Sequence, residues 1–131
     1  GYGLFSTISD YRKFANMLRN GKTDDGRIIL SERMWYLMHQ TRVSFSNNTF
    51  RINDEPFCGY GWNLVGRVME NVGKAQYTTS LGEFGWSGAA ATYFWVDPVL
   101  DVTGCVMTQY IGREVPIDGM MQTAAMRMLD H

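Results

Sequence analysis

The chain has 131 residues, 45% of them hydrophobic and 19% charged, enough for one domain with a real core and too few for two. Its 12 Lys and Arg stand against 13 Asp and Glu for a formal charge of −1, and the basic residues are scattered. This excludes the basic surface that phosphate neutralisation needs, so no nucleic-acid partner is expected.

No apolar run reaches about 18 residues, and no charged-then-apolar leader occurs, so no membrane span is expected. Gly1 to Phe5 reads as a cut made inside a longer protein. Any leader would lie upstream, which leaves the compartment open between bacterial periplasm and cytoplasm. Ser6-Thr7 precede an apolar-periodic run, Ile8, Tyr11, Phe14, Ala15 and Leu18, with Asp10 three residues after Thr7. The pattern predicts a capped amphipathic helix from Ile8 to about Asn20, closed by Gly21, with Asp10 at the positive end of its dipole. Lys22 to Arg27 is a turn by its Asp-Gly content, followed by the short apolar Ile28-Ile29-Leu30. Ser31 caps a second helix, Glu32 to about His39, with Met34, Leu37 and Met38 on one face.

Residues 40–56 are polar and weakly patterned, and are expected to form a long loop that covers a functional surface or is mobile. Asn47-Asn48-Thr49 within it matches a glycosylation sequon, a match that chance often produces. Gly59 to Met69 reads as one strand with glycine relief, Asn71 to Lys74 as a turn, and Ala75 to Thr79 as the next strand. Phe84 to Pro98, F-G-W-S-G-A-A-A-T-Y-F-W-V-D-P, carries no Lys, Arg or Glu and predicts two buried strands joined by a tight Ala-rich turn. Gly88, Ala89, Ala90 and Ala91 keep bulk off that backbone, as where a substrate or a neighbouring strand approaches closely. Val102 to Tyr110 follows as another strand. The chain closes on a helix from about Pro116, whose Ile117, Met120, Met121, Ala124, Ala125, Met128 and Leu129 form a core-facing stripe.

Few constellations carry chemistry. Cys58 and Cys105 have no CxxC spacing and no nearby His, so no metal site is expected; Cys105 reads as a small hydrophobe, and whether the two pair stays open. Gly1-Tyr2-Gly3 follows no strand and is not a dinucleotide fingerprint, so no cofactor is expected. His39 falls in the last turn of a helix, where a histidine complements the dipole, and His131 is terminal; no Ser-His-Asp arrangement results. Asp24-Asp25 and Asp54-Glu55 read as solvated turn charges. Trp62, Tyr93 and Trp95 suit core or cleft walls equally.

Four segments carry a resemblance when taken in order: Gly3 to Gly21 (G-L-F-S-T-I-S-D-Y-R-K-F-A-N-M-L-R-N-G), Gly59 to Trp62 (G-Y-G-W), Phe84 to Pro98, and Thr108-Gln109. Together they resemble the C-terminal third of the serine beta-lactamase-related family, the class C beta-lactamases and penicillin-binding-protein-like esterases. The resemblance implies an α+β fold, an antiparallel sheet flanked by helices, as the C-terminal part of a beta-lactamase/transpeptidase-like domain. On this reading residues 1–131 are a single partial domain that lacks the N-terminal strands, the S-x-x-K nucleophile motif and the second-motif segment.

The resemblance places Trp86-Ser87-Gly88 at the family's third motif and implies that the Ala89 backbone N–H is one of two oxyanion-hole donors. Trp86 would shape the substrate cleft, Ser87 offer a hydrogen bond and Gly88 give clearance. Two departures stand out. No serine of the chain (Ser6, Ser9, Ser31, Ser44, Ser46, Ser80, Ser87) has Lys three residues on, so nucleophile and base are absent and the fragment alone is expected to be inactive. Trp86 stands where the family more often has Lys or His, which favours a neutral ester or amide over a beta-lactam substrate. The parent is expected to be a serine hydrolase using an acyl-enzyme; the alternative is a non-catalytic relative, a peptide- or cell-wall-binding or assembly module. Without the missing strands, the Val102 to Tyr110 strand would expose an apolar edge through which the fragment self-associates.

Overall fold

The computed structural model describes residues 4–52, 54–111 and 115–129; Gly1 to Gly3 and His131, weighed above, lie outside them. Among the described residues, seven strands and three α-helices form an α+β arrangement, as expected. Helix α1 (Ile8–Asn20) starts where the Thr7 hydroxyl accepts the Asp10 N–H at 3.2 Å. It stops at Gly21, whose φ of +77° only glycine adopts cheaply and whose N–H returns to the Met17 carbonyl at 2.7 Å.

Helix α2 (Glu32–His39) is capped by the Ser31 hydroxyl, which accepts the Met34 N–H at 3.3 Å. Its expected face is corrected in part: Met38 packs against the core, but Met34 and Leu37 are exposed, and Trp35 and His39 turn inward beside Met38. The reason is the neighbouring helix end. Trp35 Nε1 donates to the Arg19 carbonyl at 2.9 Å, and the His39 ring reaches the Leu18 carbonyl at 2.9 Å, so two ring nitrogens serve carbonyls that the end of α1 leaves without a helical partner.

The long loop expected over 40–56 contains a hairpin, β1 (Thr49–Ile52) antiparallel to β2 (Glu55–Cys58), turned at Asp54 with φ +66°. Pro56 can sit in β2 because a two-stranded ribbon has a free edge that needs no donor. The single strand expected over Gly59 to Met69 is two, β3 (Tyr60–Trp62) and β4 (Arg67–Met69). Asn63 breaks it: its side-chain oxygen accepts the N–H groups of Val65 and Gly66 at 2.8 and 2.9 Å and closes a tight turn. The strand expected at Ala75 to Thr79 is absent; a 3-10 turn at Val72–Lys74 leads into an irregular segment instead.

Strands β5 (Phe84–Ser87), β6 (Tyr93–Asp97) and β7 (Val102–Val106) complete a five-stranded antiparallel sheet in the order β3-β4-β5-β6-β7. β7 ends at Val106, shorter than the run to Tyr110 expected from pattern. The sheet's two faces follow the period of two. Val68, Phe84, Phe94 and Val96 pack under Ala15 and Leu18 of α1, whereas Tyr93 and Trp95 turn the other way onto Met126. At roughly 1.5–3 kcal/mol for each large side chain, as an upper bound, the first cluster anchors α1 to the sheet.

Helix α3 (Ile117–Leu129) covers that second face, but with a different stripe from the one expected. Gly119, Gln122 and Met126 are buried, while Met120, Met121, Met128 and Leu129 are 46–79% exposed. The sheet surface beneath explains the rotation. It presents the Tyr93 hydroxyl, which the Gln122 side-chain oxygen accepts, and the Tyr77 ring comes within 2.8 Å of where a Cβ on residue 119 would stand.

Candidate active-site wall

Strand β5 ends at Ser87, paired with Tyr93 across the ladder. The chain then turns through Gly88 to Thr92: the Gly88 N–H donates to the Thr92 carbonyl at 2.7 Å and the Ala91 N–H to the Gly88 carbonyl at 3.2 Å. Ala91 takes a left-handed φ of +52°. A Cβ at Gly88 would meet the Thr92 hydroxyl and force that side chain to turn away. The close neighbour anticipated from its small-residue run is therefore, inside this chain, its own Thr92.

Ala89 and Gly88 are exposed and Ser87 is half-buried. Among the described residues no acceptor takes the Ala89 N–H or the Ala90 N–H, and no partner meets the Ser87 hydroxyl. The turn thus presents unpaired polar groups to solvent directly after a rigid strand, a disposition that a ligand can use at little desolvation cost.

Trp86 points to the face opposite Ser87 and packs against two clusters. Its ring lies 4.7 Å from Trp62, edge-on, and 5.8 Å from Phe57. Phe57 stacks on Phe50 at 4.8 Å, and Phe50 lies 5.6 Å from Trp62. Hence the β1–β2 hairpin, read from sequence as loop, supplies half of an aromatic wall beside the turn. Phe50 and Phe57 flanking a short polar turn were the signal for it.

Behind this edge lies a buried polar cluster that sequence reasoning missed. Arg67, 2% exposed, ion-pairs with Glu83 at 3.4 Å, donates to the Tyr77 hydroxyl at 2.9 Å and contacts the Tyr93 hydroxyl. Tyr60 and Thr79 hydroxyls donate to the second Glu83 oxygen at 3.2 and 3.1 Å. Burial pushes Glu83 above the usual carboxylate range, with Arg67 pulling part of the way back. Burial likewise raises Tyr60 and Tyr93 far beyond titration at neutral pH. Burial also opposes the Arg67 charge, but the Glu83 carboxylate, with the neutral Tyr93 hydroxyl and ring, keeps the guanidinium protonated.

His39 has a different role from the dipole partner expected. It is packed between Trp35 at 4.1 Å and Phe84 at 4.6 Å, and burial lowers its pKa, with the Leu18 carbonyl opposing. A neutral ring with hydrogen on Nε2 suits that carbonyl. Cys58 and Cys105 are free and half-buried, and burial raises the Cys105 thiol. Among the described residues no group of three His, Cys, Asp or Glu could hold a metal ion, and no helix is long and apolar enough to cross a membrane.

Two curated proteins of Mycobacterium tuberculosis, the uncharacterized protein MT1414 of strain CDC 1551 / Oshkosh and Protein Rv1367c of strain ATCC 25618 / H37Rv, are each 32% identical to this chain over 114 residues. The match takes in 84% of this chain and 28% of theirs, so the chain spans little more than a quarter of these relatives' length. The fold is similar to that of EstCE1, a hydrolase with promiscuous acyltransferase activity, with a TM-score of 0.68 and 21% identity over 90% of this chain and 28% of that one. The family model described as Beta-lactamase matches residues 1–119, and the chain belongs to that family.

Proposed function

We propose that this chain forms the C-terminal, active-site-wall part of a serine hydrolase that works through an acyl-enzyme. The observation that carries the reading is the open end of β5, where the Ala89 N–H and the Ser87 hydroxyl have no partner among the described residues, beside the aromatic wall of Trp86. When a serine attacks the carbonyl carbon of an ester or amide, negative charge grows on the carbonyl oxygen. The Ala89 N–H donates to that oxygen, and the nucleophile's own N–H is the second donor. Such a donor acts most strongly on the transition state, and losing one typically costs ~10² to 10³ in rate.

Ser87 offers the substrate a hydrogen bond, Gly88 gives its backbone clearance, and Trp86 closes the cleft with a neutral ring. No cation at Trp86 awaits a substrate carboxylate, which supports a neutral ester or amide over a beta-lactam. The chain has no S-x-x-K, so in this reading the nucleophile and its base come from the remainder of a longer protein and the fragment alone is inactive.

The test is covalent. The full-length protein should take one equivalent of a serine-directed phosphonate and hydrolyse a nitrophenyl ester. Peptide or cell-wall binding without any adduct would contradict the reading and support a non-catalytic binding or assembly module. A structural corollary concerns β7, which has no strand on its outer side among the described residues. The isolated fragment is expected to self-associate through that edge; a monodisperse monomer in light scattering at roughly tens of micromolar would refute this.

A further inference from the structure

Thr108, beyond the end of β7, reaches across to the β5–β6 turn. Its hydroxyl donates to the Ala90 carbonyl at 2.6 Å, with the Ala91 carbonyl 3.3 Å away, and accepts the Tyr110 N–H at 3.2 Å. One hydroxyl proton serves Ala90 first, and the accepted bond from Tyr110 fixes the rotor that gives it.

The turn needs such a hold. Its base is closed by Gly88 and Thr92, but Ala91 sits at φ +52°, a left-handed conformation that a Cβ disfavours. Ala89 and Ala90 make no backbone hydrogen bond through their own N–H groups among the described residues. The direction of the Ala89 N–H is set by a peptide plane only two residues from the carbonyls that Thr108 holds.

We propose that Thr108 is a positioning residue for the Ala89 N–H, its hydroxyl tethering the Ala90 and Ala91 carbonyls so that the turn presents a pre-aimed donor to the substrate oxygen. The proposal rests on the hydrolase reading above. An oxyanion donor is effective because no reorganisation is needed as charge develops, so a loosened turn lowers the rate even with every donor still present.

The experiment compares Thr108→Val, which keeps the shape and removes the hydroxyl, with Thr108→Ser, which keeps the hydroxyl, in the full-length protein. Thr108→Val should lower kcat on a nitrophenyl ester by roughly 10- to 100-fold with little change in KM, and Thr108→Ser should restore most of it. In parallel, the NMR backbone order parameters of Ala89 and Ala90 should fall in the Val variant and not in the Ser variant. An unchanged kcat, a change in KM alone, or equal losses in both variants would overturn the proposal. A wild-type protein that cleaves no ester sinks the hydrolase reading separately; the order-parameter readout still decides for Thr108, since a turn as ordered in Thr108→Val as in wild type would overturn its tether.

Discussion

Ser87 and Tyr93 face each other across one rung of the sheet, and two regions of opposite character begin from them. From Tyr93 inward, Arg67, Glu83, Tyr60, Thr79 and Gln122 form a closed cluster whose polar atoms find one another, Arg67 Nε being left over. From Ser87 outward, the turn leaves a hydroxyl and two N–H groups without partners among the described residues. A buried polar group left unpaired costs about 1–3 kcal/mol, so the inner region has to be closed to exist at all. The outer one is served by water and can give its groups to a ligand. On the proposed reading, stability and chemistry are separated by a single residue pair.

The comparison breaks first at Glu83. Replacing Glu83 by Ala leaves the Arg67 charge buried without its counter-ion and should cost about 3–5 kcal/mol in denaturant unfolding of the full-length protein. A loss below about 1 kcal/mol would mean that the cluster is not what holds this edge.

The outer region should respond in activity instead. Ala89→Pro deletes the N–H and should lower kcat by about 10² to 10³, whereas Ala89→Gly keeps the N–H and should retain activity. Equal activity in all three proteins would remove Ala89 from the mechanism. Equal loss in both variants would trace the effect to the turn's shape rather than to its donor.

His39 gives the smallest effect and lies between the two cases, a polar ring enclosed but titratable. Its folded pKa is lowered from 6.5 by burial, so the unfolded chain binds the proton more readily. The stability it contributes is full above the unfolded value and is lost as pH falls through the lower folded one. Unfolding midpoints should therefore decline as pH drops below about 6.5, and His39→Gln should flatten that slope. An identical slope in the variant would assign the decline to other groups.

Much of this was readable in the sequence where local rules and tertiary packing agree. Thr7, Gly21 and Ser31 mark helix ends because capping is a local event, and the helices stand where those residues put them. The Trp86 to Ala89 segment stood out through small residues and family resemblance together. Other features depend on partners far along the chain. Helix α3 buries Gln122 rather than the Met120–Met121 stripe because a hydroxyl from β6 waits beneath it, and hydrophobic period is blind to that. Arg67 and Glu83 look like ordinary surface charges until β4 and the segment before β5 meet. The β1–β2 hairpin escaped because its polar residues mask the alternation of Phe50, Ile52 and Phe57, which pack into the aromatic cluster.

The most direct measurement is the amide proton of Ala89 in isotope-labelled full-length protein before and after reaction with a serine-directed phosphonate, whose oxygen stands where the oxyanion would form. The account predicts a covalent adduct and a downfield shift of the Ala89 amide larger than that of Ala90. An adduct that leaves Ala89 unmoved, or no adduct at all, would contradict it.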